Sequence, residues 1–86
     1  EATEQSDWVK IAIYRSLVML GENEYFIPFI NMLHSSDYRN RIFVLNIIDD
    51  IPNHKKEILN HLMKQQREEV ISHIKQKIQE KLEVFH

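Results

Sequence analysis

The feature that most constrains this chain is an internal echo. When the first third of the sequence is slid 31 residues along the second, Val9, Lys10, Ile13, Leu17, Leu20 and Gly21 fall on Asn40, Arg41, Val44, Ile48, Ile51 and Pro52. Both segments keep spacings of four, four and three, a basic residue near the start and a breaker at the end. That spacing is helical. A helical pattern repeating at this period describes stacked hairpins, in which each unit leaves a hydrophobic face open for its neighbour to cover. Recognition is a more natural task for such a chain than catalysis.

At 86 residues, the chain is a single domain that buries only about 60–65% of the surface its unfolded form exposes. A deep enzyme pocket is hard to build in it. Hydrophobic residues make up 43% and charged residues 28%, with one Gly and two Pro, so long helices are expected and a turn-rich β fold is not. With no cysteine there is neither a disulfide framework nor a thiolate metal site, which suits a cytoplasmic location. A net charge of −2 lacks the positive field of a nonspecific nucleic-acid binder. No apolar run approaches the ~20 residues needed to cross a bilayer, and Glu1-Ala2-Thr3-Glu4-Gln5 carries none of the charge of a signal peptide. The expectation is a soluble protein with no membrane partner. It begins without Met, which leaves room for further repeats on either side.

Turn and cap residues divide the chain into helices. The first is expected from Ser6 or Asp7, either of which can cap it, to Gly21 at a left-handed C′ position, with Val9, Ile13, Leu17 and Leu20 as its core stripe. A second runs from a cap at Asn23 to His34, and its start lies between Asn23 and Phe26 because Pro28 must sit in the first turn. The third is capped by Ser36 or Asp37 and ends before Pro52. Its Ile42, Phe43, Val44, Leu45, Ile47, Ile48 and Ile51 point around most of the circumference, which marks it as the central, most buried helix. Asn53 caps a fourth, with Ile58, Leu59, Leu62 and Met63 as its stripe. Beyond it, Lys64 to Glu69 contain neither Gly nor Pro, so propensity permits one helix of about 30 residues. The repeat register instead favours a bend near Gln66, because Val70, Ile74 and Ile78 reproduce the spacing of Val9, Ile13 and Leu17.

The segment from Ile27 through Pro28, His34, Ser36 and Asp37 to Arg41 resembles the HEAT repeat family, in which a B helix leads through an Asp-containing turn into an A helix opening on a basic residue. Val9-Lys10 through Leu20-Gly21 is similar to the A helix of the preceding repeat. The resemblance implies an all-α, right-handed stack of antiparallel helical hairpins, an α-solenoid whose B helices line the concave side. Repeat one would span about 7–34, repeat two about 37–64, and a degenerate repeat or capping helix about 66–84. In the family the turn Asp and the A-helix Arg tie neighbouring repeats together, and those positions match Asp37 and Arg41. The first unit departs with Ser6 and Lys10, and the third has Arg67 where an Asp is expected. The implied function is a non-catalytic scaffold that binds an unidentified protein partner.

Candidate contact residues come from the second helix. Phe26, Ile27, Ile30 and Leu33 suffice for packing within a hairpin, leaving Tyr25, Phe29 and Met32 as an adjoining stripe suited to binding anchors unless a neighbouring helix covers them. Glu57, His61 and Lys64 extend it one repeat further on. Two rival readings remain. Arg39, Arg41, Lys55 and Lys56 near helix ends are the residues that would contact phosphates in a nucleic-acid-binding module, against interleaved Glu22, Glu24, Asp49 and Asp50. Ile71, Ile74, Ile78 and Leu82 would form the seam of a homo-oligomer through the C-terminal helix. The five histidines include no i, i+4 pair and read as solvated residues, so no metal or other cofactor is expected. No glycine-rich phosphate loop, nucleophile elbow or HExxH motif is present, and no catalytic residues are assigned.

Overall fold

The structure, a computed structural model, describes residues 3–85, with side chains from Asp7 onward. Among the described residues it is all-helical: α1 (Thr3–Met19), α2 (Phe26–Asn31) between 3₁₀ turns at Asn23–Tyr25 and Met32–His34, α3 (Tyr38–Ile47), α4 (Lys55–Glu68) and α5 (Ser72–Phe85). α1 packs on α2 and on α3, α3 lies between the Met32–His34 turn and α5, and α4 lies along α5. The Cα extents are 33 × 29 × 15 Å. The short dimension is what two helix layers produce when axes about 10 Å apart each carry Cα atoms at a radius of about 2.3 Å.

Local chemistry explains most boundaries. Gly21 adopts φ +97°, and around it the Glu22 amide donates to the Leu17 carbonyl while the Gly21 amide donates to Val18. This 6→1 and 5→2 pair is a Schellman motif, which closes α1. Pro28 is the third residue of α2, where a missing amide costs nothing. Asp37 caps α3, its carboxylate accepting from the Arg39 amide. α3 stops at Ile47, short of Pro52, because the acidic pair Asp49-Asp50 opposes the negative end of the helix dipole and Pro52 disfavours helical backbone just before it.

Other boundaries differ from the sequence reading. α1 starts at Thr3, so Asp7 is not its cap: it lies inside the helix and accepts from Asn40 Nδ2 at 3.4 Å. Ser6 lies outside the described side chains. Asn23 opens a 3₁₀ turn without capping it. Asn53 takes a left-handed φ of 68°, a conformation Asn tolerates, and His54 precedes α4. The polar run after Met63 does break, at Glu69–Ile71.

The core confirms α3 as central, with Val44, Leu45 and Ile48 fully buried and Ile51 nearly so. On α1 the expected stripe is wrong. The buried residues are Ile11 and Val18, whereas Val9, Ile13 and Leu20 are 55%, 49% and 79% exposed and Leu17 is half-buried. The reason is that α1 is apolar on opposite sides, and the fold uses the side that periodicity did not select.

Candidate functional site

Polar groups first show how the repeats are joined. Arg41, on the first turn of α3, donates from Nε and Nη2 to the two oxygens of Glu69, each at 2.8 Å, and from Nη1 to the Ser35 carbonyl at 2.8 Å. Glu69 also accepts from Gln65 Nε2 and from the Ile71 amide. Its side chain is fully buried and that of Arg41 nearly so. Burial alone would raise the Glu69 pKa, but the bonds from Arg41, Gln65 and Ile71 outweigh it and hold the carboxyl below its ordinary value. The same carboxylate breaks the helix between α4 and α5, since its bond to Ile71 requires the chain to turn.

The network continues through histidines. Gln65 Oε1 accepts from His34 Nδ1 at 2.7 Å, and His34 Nε2 lies 2.9 Å from His61 Nδ1. With both rings neutral, His34 therefore carries its proton on Nδ1 and accepts from His61. Desolvation, followed by the charges of His34 and Lys64, lowers the His61 pKa. Farther along, His54 donates from Nε2 to Asn23 Oδ1 and stacks on Phe26 with centroids 4.1 Å apart. His34, His54 and His61 are thus joints between units, not the solvated residues expected. Asn23–His54 and His34–Gln65 are each 31 residues apart. The sequence period could have identified both pairs.

The proposed anchor stripe does not form a surface. Phe29 is fully buried, and Tyr25 is half-buried with its ring against Tyr14 at 6.1 Å. Met32 is half-buried against the core, His61 is half-buried beside His34, and Glu57 and Lys64 are exposed. Phe29 is core because it lies closer to the line through Phe26, Ile30 and Leu33 than Ile27 does: about 70° against about 90°, at 100° per residue. Ile27 is accordingly 56% exposed. Asp37 sits at the α3 cap and pairs with Arg39 at 2.9 Å. The phosphate-contact set is dispersed as well, with Arg41 buried on Glu69, Arg39 on Asp37, and Lys55 and Lys56 exposed at the start of α4. The C-terminal seam is occupied internally, since Ile74, Ile78 and Leu82 are buried and Ile71 is half-buried against the core. Among the described residues no group of three His, Cys, Asp or Glu could hold a metal ion, and no helix is long and apolar enough to cross a membrane.

What remains open is the outer face of α1. Val9, Ala12, Ile13, Ser16 and Leu17 line a shallow groove of about 360 Å³, with Leu20 beyond its end. Around the corner, Trp8, Ile42 and Phe43 line a second groove of about 330 Å³, edged by Arg39 and Asn46, in which the Trp8 and Phe43 rings stand 6.4 Å apart. Sequence reasoning missed this surface because it assigned the same residues to the core. Comparison of the chain with family models, curated proteins and solved structures finds no match.

Proposed function

We propose that this chain is a non-catalytic protein–protein interaction module of the HEAT-repeat kind, working in the cytoplasm, whose contact surface is the outer face of α1. The observation that carries the reading is that α1 is apolar on opposite sides and only one side is covered. Soluble proteins rarely leave such a contiguous stripe open unless something docks on it. Contacts between residues 31 apart support hairpin stacking, as does the reach of Arg41 from the Ser35 turn to Glu69 in the next unit. The titratable side chains of the polar network are engaged with one another, which suits structural joints better than reactive groups.

The test is affinity capture from a cell extract by the wild-type chain and by Ile13→Lys in parallel. A partner held by the wild type and lost by the variant, with the melting temperature unchanged, supports the reading. Identical captured sets would retire the α1 face as the contact surface.

A further inference from the structure

We infer that the occupant of the α1 outer face is a second copy of this chain, docked about a two-fold axis with the two α1 helices antiparallel. The inference rests on the interaction reading above and gives it a partner. Elimination leads there first. The apolar faces of α2, α4 and α5 are already used: Phe26, Phe29, Ile30 and Leu33 are buried, as are Ile58 and Leu62, and Ile74, Ile78 and Leu82. The outer side of α5 carries exposed His73, Gln76, Glu80 and Glu83, with Val84 as its apolar exception. Head-to-tail stacking would press those charges onto Val9, Ile13 and Leu20. The stripe whose polarity matches α1 is therefore the same stripe on another molecule, which is the definition of an isologous contact.

The stripe is also complementary to itself. With the axis midway between Ile13 and Ser16, Val9 of one copy meets Leu20 of the other, Ala12 meets Leu17, and Ile13 meets Ser16. Small residues at Ala12 and Ser16 give each Ile13 and Leu17 a recess to enter, as ridge-and-groove packing requires. Lys10 borders the stripe, and in this register it comes within one helical turn of Glu22 of the second copy, close enough for an ion pair across the contact. Asp7, the nearby acid that would oppose this arrangement, is turned toward α3 and held by Asn40. Trp8 and the groove it shares with Phe43 lie at the flank and supply further apolar area toward the roughly 800 Å² per partner of a standard interface.

Sedimentation of the chain from about 1 to 500 μM, a range spanning weak to moderate affinities, tests this directly. The expected result is a concentration-dependent monomer–dimer equilibrium that Ile13→Lys and Leu20→Lys each weaken by at least about tenfold, equivalent to about 1.4 kcal/mol. Both positions are half-exposed or more, so helicity at low concentration serves as the control for folding. Lys10→Glu should weaken the dimer and Lys10→Glu with Glu22→Lys should restore it. A monomer throughout, a dimer indifferent to Ile13→Lys and Leu20→Lys, or assemblies that grow beyond two copies would each overturn the proposal. A monomer that still captures an Ile13-dependent partner would overturn only the second copy, leaving the interaction reading intact.

Discussion

α1 and α5 close the two ends of the molecule in opposite ways. α5 buries Ile74, Ile78, Leu82 and Phe85 and turns charged residues outward, as the capping unit of a repeat array must. α1 buries Ile11 and Val18 yet presents Val9, Ile13 and Leu20 to solvent. An apolar count makes the two helices look alike. What separates them is whether the apolar residues lie on one side or two, and this decides which end is finished.

Four substitutions and one titration would break or sharpen that contrast. The largest effect is expected at the finished end, where Glu69→Ala strands the buried Arg41 guanidinium and should cost about 3–5 kcal/mol in urea unfolding. Next, Ile78→Ala, which empties a fully buried site on α5, should cost about 2–5 kcal/mol. Gly21→Ala, which ends α1, should cost about 1–2 kcal/mol, because an added Cβ meets nothing within 4 Å and the penalty is the left-handed φ alone. Ile13→Ala at low protein concentration should change stability by no more than about 0.5 kcal/mol, the usual surface range. A cost near that of Ile78→Ala would show that the α1 outer face is packed after all.

The titration probes the joints between the two ends. Because the folded-state pKa of His61 is lowered below 6.5, the unfolded chain takes up the proton first. Its contribution is complete above that value and declines as pH falls through it. Glu69, also lowered, contributes above its ordinary 4.5, and that contribution is lost as pH falls below it. Stability measured from about pH 8 to about pH 3 should therefore fall in two stages, with His61→Gln removing the first and leaving the second.

Residues with a local signature were legible in the sequence. Gly21, Pro28 and Asp37 behave as their backbone chemistry dictates, and the breadth of apolar residues on α3 did place it at the centre. The 31-residue period reappears as hydrogen bonds. The side of α1 that would be buried was not legible, since periodicity finds an apolar stripe but cannot choose between two on one helix. Phe29 was legible in principle, from its angular distance to Phe26, Ile30 and Leu33. Glu69 was not, because its partner Arg41 is 28 residues away and nothing in Glu68-Glu69-Val70 distinguishes one acid from the other.

Arg15 adds a consequence for the order of assembly. Its Nε donates to the Ile47 carbonyl at 2.7 Å, and its guanidinium lies 3.6 Å from Asp50, so a side chain of α1 closes the final turn of α3. Until α1 docks, that carbonyl must rely on water. α4 and α5, joined by a short link and rich in local contacts, can pair early, whereas the last turn of α3 must wait for a residue 32 positions upstream. Folding should therefore run from the C-terminal half toward the N-terminus. A transition state probed residue by residue would show small φ-values at Ile11 and Val18 and larger ones at Leu62 of α4 and at Ile74 and Ile78 of α5.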